Sequence, residues 1–563
     1  MMRLLLTMPL LLLTAPIIAS GSVSEKTPSP ATTSAPAMHS LCGDDSIAPS
    51  VEHILPGFGD GGMAIAAKPM AQAFFNNGMQ LAHSFAHRAA TGAFAEAERL
   101  DPLCAMCVWG DAWSQGPTIN FPIDTATMVK MSKKVETAER LAAIGTPLEQ
   151  QMIAALKLRY QQGGGKGAGD LAFARAMDAI ARAHPDSDEL ATLAADAWMI
   201  PDLLNETKEN LPRALDLLQT VLARNPDYTP AIHFYIHATE TMGFPERAEA
   251  YANRLPALAP GASHLIHMPS HTFYWIGRYH DAAVANVRAA GLAEGDARAA
   301  KLTGPDSIWR LDYHAHNVQF GVGGALISGD ADDALTLSDA MLASLGRHPP
   351  ESPYGVMAAG TGYAAQGRFA APNVVLAMPD PGPKLPLIQA YWHYARGEAY
   401  ARLGDAAAVR REAAAIVLPA PAAVPATSLK AWTAARNMVR IGQLVLLGRA
   451  AMAEHRPDLA IAAFAKATKI EESKVMTYYA DPPAWWYPVR RSLAAALLEA
   501  GRPAEALRQA NGALKRRPLD PIATGLRGMI LVKLGQADAA ARDHDMAARN
   551  WRGNAEALST PLI

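Results

Sequence analysis

Beyond residue 70 the chain is patterned in threes and fours: apolar residues return at the spacing that lines one face of a helix, and polar residues fill the opposite face. Small residues punctuate the pattern at fixed intervals. In NNGMQLAHSFAHRAATGAFAEAERLDP (76–102) the punctuation falls at Gly78, Ala90, Phe94, Ala97 and Pro102. In MGFPERAEAYANRLPALAPG (242–261) it falls at Gly243, Ala248 and Pro260, and further on Gly277 and Ala282 take the places of Gly243 and Ala248. Near the C-terminus Gly501, Ala506 and Ala513 return at the same interval as Gly535, Ala540 and Ala547. GRAAMAEHRPDLAIAAFAKATKI (448–470) carries the pattern, and 360–369 and 397–408 carry part of it.

The step from Gly243 to Gly277 and from Gly501 to Gly535 sets the period. With glycine at a turn, alanine where two helices touch and proline at the close, it resembles the tetratricopeptide repeat, whose unit is about 34 residues. The fold that follows is all-α: an α-solenoid of antiparallel helix hairpins, each too small to bury its own apolar stripe and therefore stacked on its neighbours into a superhelix with a concave groove. Residues 51–300 read as a first array, 301–430 as degenerate hairpins and Pro-rich loops, and 431–563 as a second array. Residues 120–200 match the repeat poorly and predict irregular hairpins. Prolines in LAMPDPGPKLP (376–386) and IVLPAPAAVPAT (416–427) forbid continuous helix and predict loops.

Composition removes several function classes. The 51 basic and 53 acidic side chains nearly cancel, so no field favours nucleic acid. QQGGGKGAGD (161–170) is not a phosphate-binding loop, because Gly167 follows the lysine where Ser or Thr is needed and a helical pattern precedes it. Residues 1–22 carry one arginine, a leucine-rich stretch broken by Pro9 and Pro16, and small residues at 19–21; they read as a secretory signal peptide, and 23–50, rich in Ser, Thr, Pro and Ala, as a flexible tether. The expected location is the periplasm or the exterior, with no membrane attachment after cleavage. Of three cysteines, Cys104 and Cys107 form a CxxC pair able to oxidise there, a lone pair makes a zinc–thiolate site improbable, and Cys42 receives no role.

Chemistry concentrates in histidine. Five of the 17 histidines fall between residues 233 and 271. HFYIH places His233 and His237 four apart, on one helix face; HMPSH places His267 and His271 four apart, and the second pair follows the first by one full period of the repeat. Adjacent helices in repeat register would bring all four rings together, accessible from the groove. Glu240 extends the first face as a ligand, a general base or a brace for an imidazole. His264 and one of His314 or His316 would raise the count to six, enough for two ions. Neutral imidazoles in this number suit a transition metal, copper or zinc foremost and iron if Glu240 ligates. His87, with His83 four residues earlier, is a further candidate, His87 the better of the two. Pro269 is the weak point, since it forces a helix start near 268–269 and places His264 and His267 on the lead-in. Against the metal stands the plain alternative that buried histidines hydrogen-bond within a helical core. Trp109, Trp113, Trp485, Trp486 and Tyr487 read as core, or as an aromatic wall for a ligand.

LDPLCAMCVWGDA, HFYIHATE, HLIHMPSH, the HN at 316–317 and PPAWWYPVRRSLAAALLEAGR together resemble a family of exported or cytosolic bacterial tetratricopeptide proteins. The likeness spans nearly the whole mature chain and departs from the family at Ala86, where asparagine is expected. It implies the repeat architecture and the histidine motifs, and brings no reaction with it. The expectation is a protein whose groove holds a histidine-rich metal site, used on a small molecule or peptide. The alternatives are a metal-free scaffold for a protein partner and a metal store or carrier without catalysis.

Overall fold

The structure, a computed structural model, describes residues 53–163, 167–304, 306–347, 349–350, 352–418, 426–479 and 481–558. All of these belong to the unit Ala37–Ile563. The stretches read above as signal peptide and tether, Cys42 and most of the second Pro-rich stretch lie outside the described residues.

Helices follow one another from Pro69 to Asn550, most of them packed on the next, and no strand occurs among the described residues. This is an α-solenoid of tetratricopeptide-like helix pairs. The local reasons are repeated along the chain. Pro69, Pro147, Pro269, Pro353, Pro386, Pro457, Pro503 and Pro521 each open a helix, where the fixed φ is already helical and the missing N–H has no partner to lose. Thr146 and Glu149 close a reciprocal capping box at the start of Pro147–Gln161. At the other end, Gly243 and Gly277 take φ of +90° and +92°, and Gly501 and Gly535 take +71° and +73°, so the period of the sequence is a period of left-handed helix ends. Small residues do the rest. A Cβ on Gly78 or Gly110 would lie 2.7 Å and 2.4 Å from the Phe94 ring, and one on Gly448 would lie 2.4 Å from Phe464.

One expectation changes. Residues 120–200 are regular, with helices Thr125–Leu141, Pro147–Gln161, Ala168–Ala183 and Asp188–Asn205 packed in succession. The repeat signature is missing there although the helices are regular, and large or polar side chains such as Phe173, Met177, Arg159 and Asp170 are buried among them. The proline-rich stretch after 377 is a loop, 378–385, as expected.

Seven segments position the site: α1 (Pro69–His83), α2 (Asp188–Asn205), α3 (Thr229–Met242), α4 (Ser263–His267), α5 (Pro269–Ile276), α6 (Tyr279–Ala299) and α7 (His314–Ser328). Pro269 does start a new helix, yet Met268 keeps helical angles (φ −51°, ψ −36°), so α4 runs into α5 with a break in hydrogen bonding and little change of direction. Two apolar cores meet here. Leu265, Met268 and Phe273 belong to the first and Tyr274 and Tyr279 to the second, so the histidines lie on the seam. Distant chain closes it: Tyr274 Oη donates to the Trp486 carbonyl at 3.2 Å and Tyr279 Oη to that of Pro518 at 2.8 Å.

Candidate metal centre

α3 delivers His233 and His237, α4 His264 and His267, α5 His271, and α7 His316. They form two triplets, His233–His237–His264 and His267–His271–His316, in each of which one ligating atom per residue lies within 4.8 Å of the others. A third set, His237, Glu240, His271 and Asp481, meets the same criterion and joins the two. The triplets touch each other, with His237 and His271 centroids 5.0 Å apart across the repeat and those of His264 and His267, neighbours on α4, 5.5 Å apart.

The register is only half kept. His237 meets its equivalent His271, but His233 pairs with His264, Nε2 to Nε2 at 3.2 Å, because α4 precedes Pro269 and brings its own histidine forward. Accessibility departs from expectation as well. His233, His237, His264, His267 and His271 are 0–6 % exposed, so they sit inside the helical layer and not on a groove surface; only His316 is partly open. Their faces carry apolar neighbours on both sides, which is the condition of a seam between cores.

Bracing of the rings is specific. His233 Nδ1 donates to the His83 carbonyl at 2.7 Å, and His267 Nδ1 donates to Asn286 Oδ1 at 2.6 Å. His271 Nδ1 lies 2.7 Å from Glu240 Oε2 and 3.0 Å from Asp481 Oδ1. Glu240 is held in turn by the Trp275 indole N–H. Each brace commits Nδ1 and turns Nε2 inward, the second-sphere arrangement that fixes an imidazole for metal binding. The inward atoms are closely spaced: His267 Nε2 and His271 Nε2 are 2.9 Å apart. Two nitrogens on one tetrahedral ion with bonds of about 2.0–2.1 Å stand roughly 3.3 Å apart, so both Nε2 pairs are near the spacing of a shared cation. His237 Nε2 and His264 Nδ1 are buried with no hydrogen-bond partner, a costly condition for a polar atom in a core.

Electrostatics separates one histidine from the rest. Burial, reinforced by the neighbouring rings, lowers His237, His264 and His267 well below the ordinary value, His233 to about 3 and His316 to about 4, so these are neutral imidazoles at neutral pH. Burial acts on His271 in the same direction, but Asp481 and Glu240 outweigh it and raise it to about 10. His271 is therefore an imidazolium that donates through Nδ1 to the carboxylates and through Nε2 to His267. The proton on Nε2 holds a place that a cation would take. Glu240 itself is pushed up, first by burial and then by the charge of Asp481.

His87 is not drawn into either triplet. It stacks on Phe85 at 5.3 Å, with both ring nitrogens buried and without hydrogen-bond partners. His83 proves the more connected of that pair, its ring on Glu189 of α2 at 2.7 Å and its carbonyl on His233. His314 packs on Trp309 instead, leaving His316 as the histidine of α7 that joins. Phe85 itself escapes a reading of motifs. It ends α1 in the left-handed region (φ +56°), where the N–H of Ala86 reaches the Leu81 carbonyl and its own N–H that of Ala82, and its buried ring lies 4.4 Å from His233 and 4.9 Å from His264. Asp481, Asn286 and Glu189 were likewise invisible as site residues, since an acid or amide far along the chain carries no local signal.

Beside Glu240 and Trp275 a cavity of about 660 Å³ opens, walled by Met476, Tyr479 and Trp485 and edged by Lys515, Arg516 and Arg517. Trp109, Trp113, Trp486 and Tyr487 are core residues, and Cys104 and Cys107 are joined in a disulfide at the start of the helix Ala105–Ser114. No helix among the described residues is long and apolar enough to cross a membrane.

No protein-family model and no curated protein matches the chain. Among solved structures it is similar to a human IFIT1 dimer with PPP-AAAA (13 % identity over 83 % of this chain and 94 % of that one, TM-score 0.31), to the P58(IPK) TPR domain (15 %, 63 % and 92 %, 0.20) and to the APC/C hetero-tetramer Cut9–Hcn1 (12 %, 87 % and 89 %, 0.21). Likeness at this level says nothing of function. On its own helices the chain is a tetratricopeptide-like array with two histidine triplets buried at the seam of its cores.

Proposed function

We propose that this chain is a transition-metal protein, with ions held by His233, His237 and His264 and by His267, His271 and His316, and Glu240 and Asp481 bracing His271. The observation that carries the reading is the convergence of inward-facing imidazole nitrogens, braced from behind, around the buried and unpartnered Nε2 of His237. A nitrogen-only donor set suits copper or zinc, and the carboxylates of the third set admit iron. A bound ion would supply Lewis acidity or, for copper or iron, one-electron chemistry. The protein's part is to hold six rings oriented, five of them neutral and His271 protonated until an ion replaces its proton, to keep water from them, and to balance charge through Glu240 and Asp481. Metal-dependent chemistry on a small molecule is favoured over storage by the adjoining cavity, which a store does not need. The helix pairs also fit a protein-binding scaffold. Export is supported by the apolar N-terminus and the Cys104–Cys107 disulfide; fractionation of cells making the full chain tests it, and retention in the cytosol would refute it.

Metal analysis of the full chain purified from its native compartment tests the central reading. Stoichiometric copper, zinc or iron in the wild type, reduced at least tenfold in His237→Ala plus His271→Ala, is expected. If the wild type carries no metal and takes none up, and the double substitution only weakens capture of a partner protein, the scaffold reading stands in its place.

A further inference from the structure

The cavity beside Glu240 has a chemistry of its own. At about 660 Å³ it matches the pockets that enclose small organic molecules. Its apolar wall is flat and aromatic, with Trp275, Tyr479 and Trp485 facing it, and Met476 adding a soft side chain. Its polar atoms are unevenly satisfied. The Trp485 indole N–H is buried without an acceptor, the residue being 6 % exposed, and Glu471 Oε2 is buried without a donor. Arg516 is engaged by Glu471 at 3.3 Å, and Glu240 by His271 and Trp275. Arg517 is different: it is 8 % exposed, lies 4.4 Å over the Trp275 ring and 4.9 Å over that of Tyr274, and donates to the Arg516 carbonyl, and among the described residues it forms no close ion pair, feeling Glu471 only through its charge. Lys515 stands exposed at the edge, also without a carboxylate there. Two carboxylates offset them in part, that of Glu246, exposed at the rim, and that of Glu471, which is shared with Arg516.

We propose that this cavity binds a small carboxylic acid with an aromatic ring, its carboxylate held by Lys515 and Arg517 and its ring lying between Trp275 and Trp485. The indole N–H of Trp485 supplies a hydrogen bond to an oxygen of the ligand, and Glu471 accepts one from a hydroxyl or amine. Trp275 and Glu240 form the wall shared with the histidine site, so the acid rests against the braced side of His271. Calling it the substrate rests on the metal reading above; its binding does not.

The experiment is calorimetric titration of the full chain, both stripped with EDTA and loaded with zinc, with phenylacetate, 4-hydroxyphenylacetate and indole-3-acetate and with their neutral amides. The acids bind and the amides bind at least tenfold more weakly, since a hydrogen bond to a charged group is lost. Lys515→Gln, an exposed position, weakens the acids about tenfold and leaves the amides unchanged, and Trp485→Phe, which keeps a ring and removes the N–H, weakens both. Equal affinity for acid and amide, no effect of Lys515→Gln, or no binding of any acid in either form overturns the proposal. Binding by the stripped protein together with failure to take up metal would sink the metal reading and leave this one standing. Metal uptake without acid binding would do the reverse.

Discussion

His271 is the residue on which the site's charge turns. A histidine raised to about 10 between two carboxylates, among neighbours lowered to about 3 and 4, means that the metal-free site carries one proton where an ion would bind. Loading the second triplet at pH 7.5 must then expel about one proton, while the already neutral imidazoles expel none. Titration with zinc in buffers of different ionisation enthalpy reads that number directly. In Glu240→Gln, His271 loses one of its two carboxylates, its pKa drops toward the ordinary value, and the released fraction falls below that of the wild type; equal release in both proteins would show that Glu240 does not hold the proton. The HxxxH pairs and their offset by one repeat were legible because they recur. The braces were not. Asn286, Asp481 and the carbonyl of His83 act from elsewhere in the chain, and a side chain that only orients another leaves no spacing to read.

At the scale of elements, glycines mark where the repeat turns, and two of them separate backbone from packing. Gly243 and Gly277 are repeat equivalents with nearly the same φ, but a Cβ on Gly243 meets nothing within 4 Å, whereas one on Gly277 would lie 2.5 Å from the Pro518 carbonyl oxygen. Gly243→Ala is expected to cost about 1 kcal/mol, the strain of a left-handed alanine. Gly277→Ala adds to that strain about 1–3 kcal/mol for the clash that presses the 518 turn away. Denaturant midpoints of the two variants check the order, which equal shifts would contradict. The helix hairpins themselves were legible from Ala and Gly spacing. The regular helices of 120–200 were not, because the side chains buried there include Phe173, Met177, Arg159 and Asp170, and these set no small residue at a fixed interval. Pro269 was legible as a helix start, and its effect, pairing His233 with His264 in place of His267, needed the geometry.

The whole molecule is built with charge-poor imidazoles at the junction of two cores, and this makes its stability depend on pH. His233, His237, His264, His267 and His316 titrate lower folded than in the unfolded chain, where the ordinary value is about 6.5. Below that value the unfolded chain binds more protons than the folded one, so the contribution of these histidines is complete above about pH 6.5 and is lost as pH falls. His271 has the opposite sign: its contribution is present below about 6.5 and lost as pH rises toward 10. With five histidines against one, the metal-free protein is expected to lose stability on the acid side at up to about 1.4 kcal/mol per pH unit for each group. Thermal melts between pH 7.5 and 4.5 in EDTA follow this, and an ion bound to the folded state alone lifts the whole curve. A melting point flat from pH 7 to 5 would contradict the neutral, buried state of the cluster.

Diffraction at a metal absorption edge, from crystals of the loaded protein, asks the central question most directly. The account predicts anomalous peaks at bonding distance, about 2.0–2.1 Å, from inward-facing imidazole nitrogens of both triplets. Peaks only at the protein surface, or none in crystals grown with the metal, would contradict it.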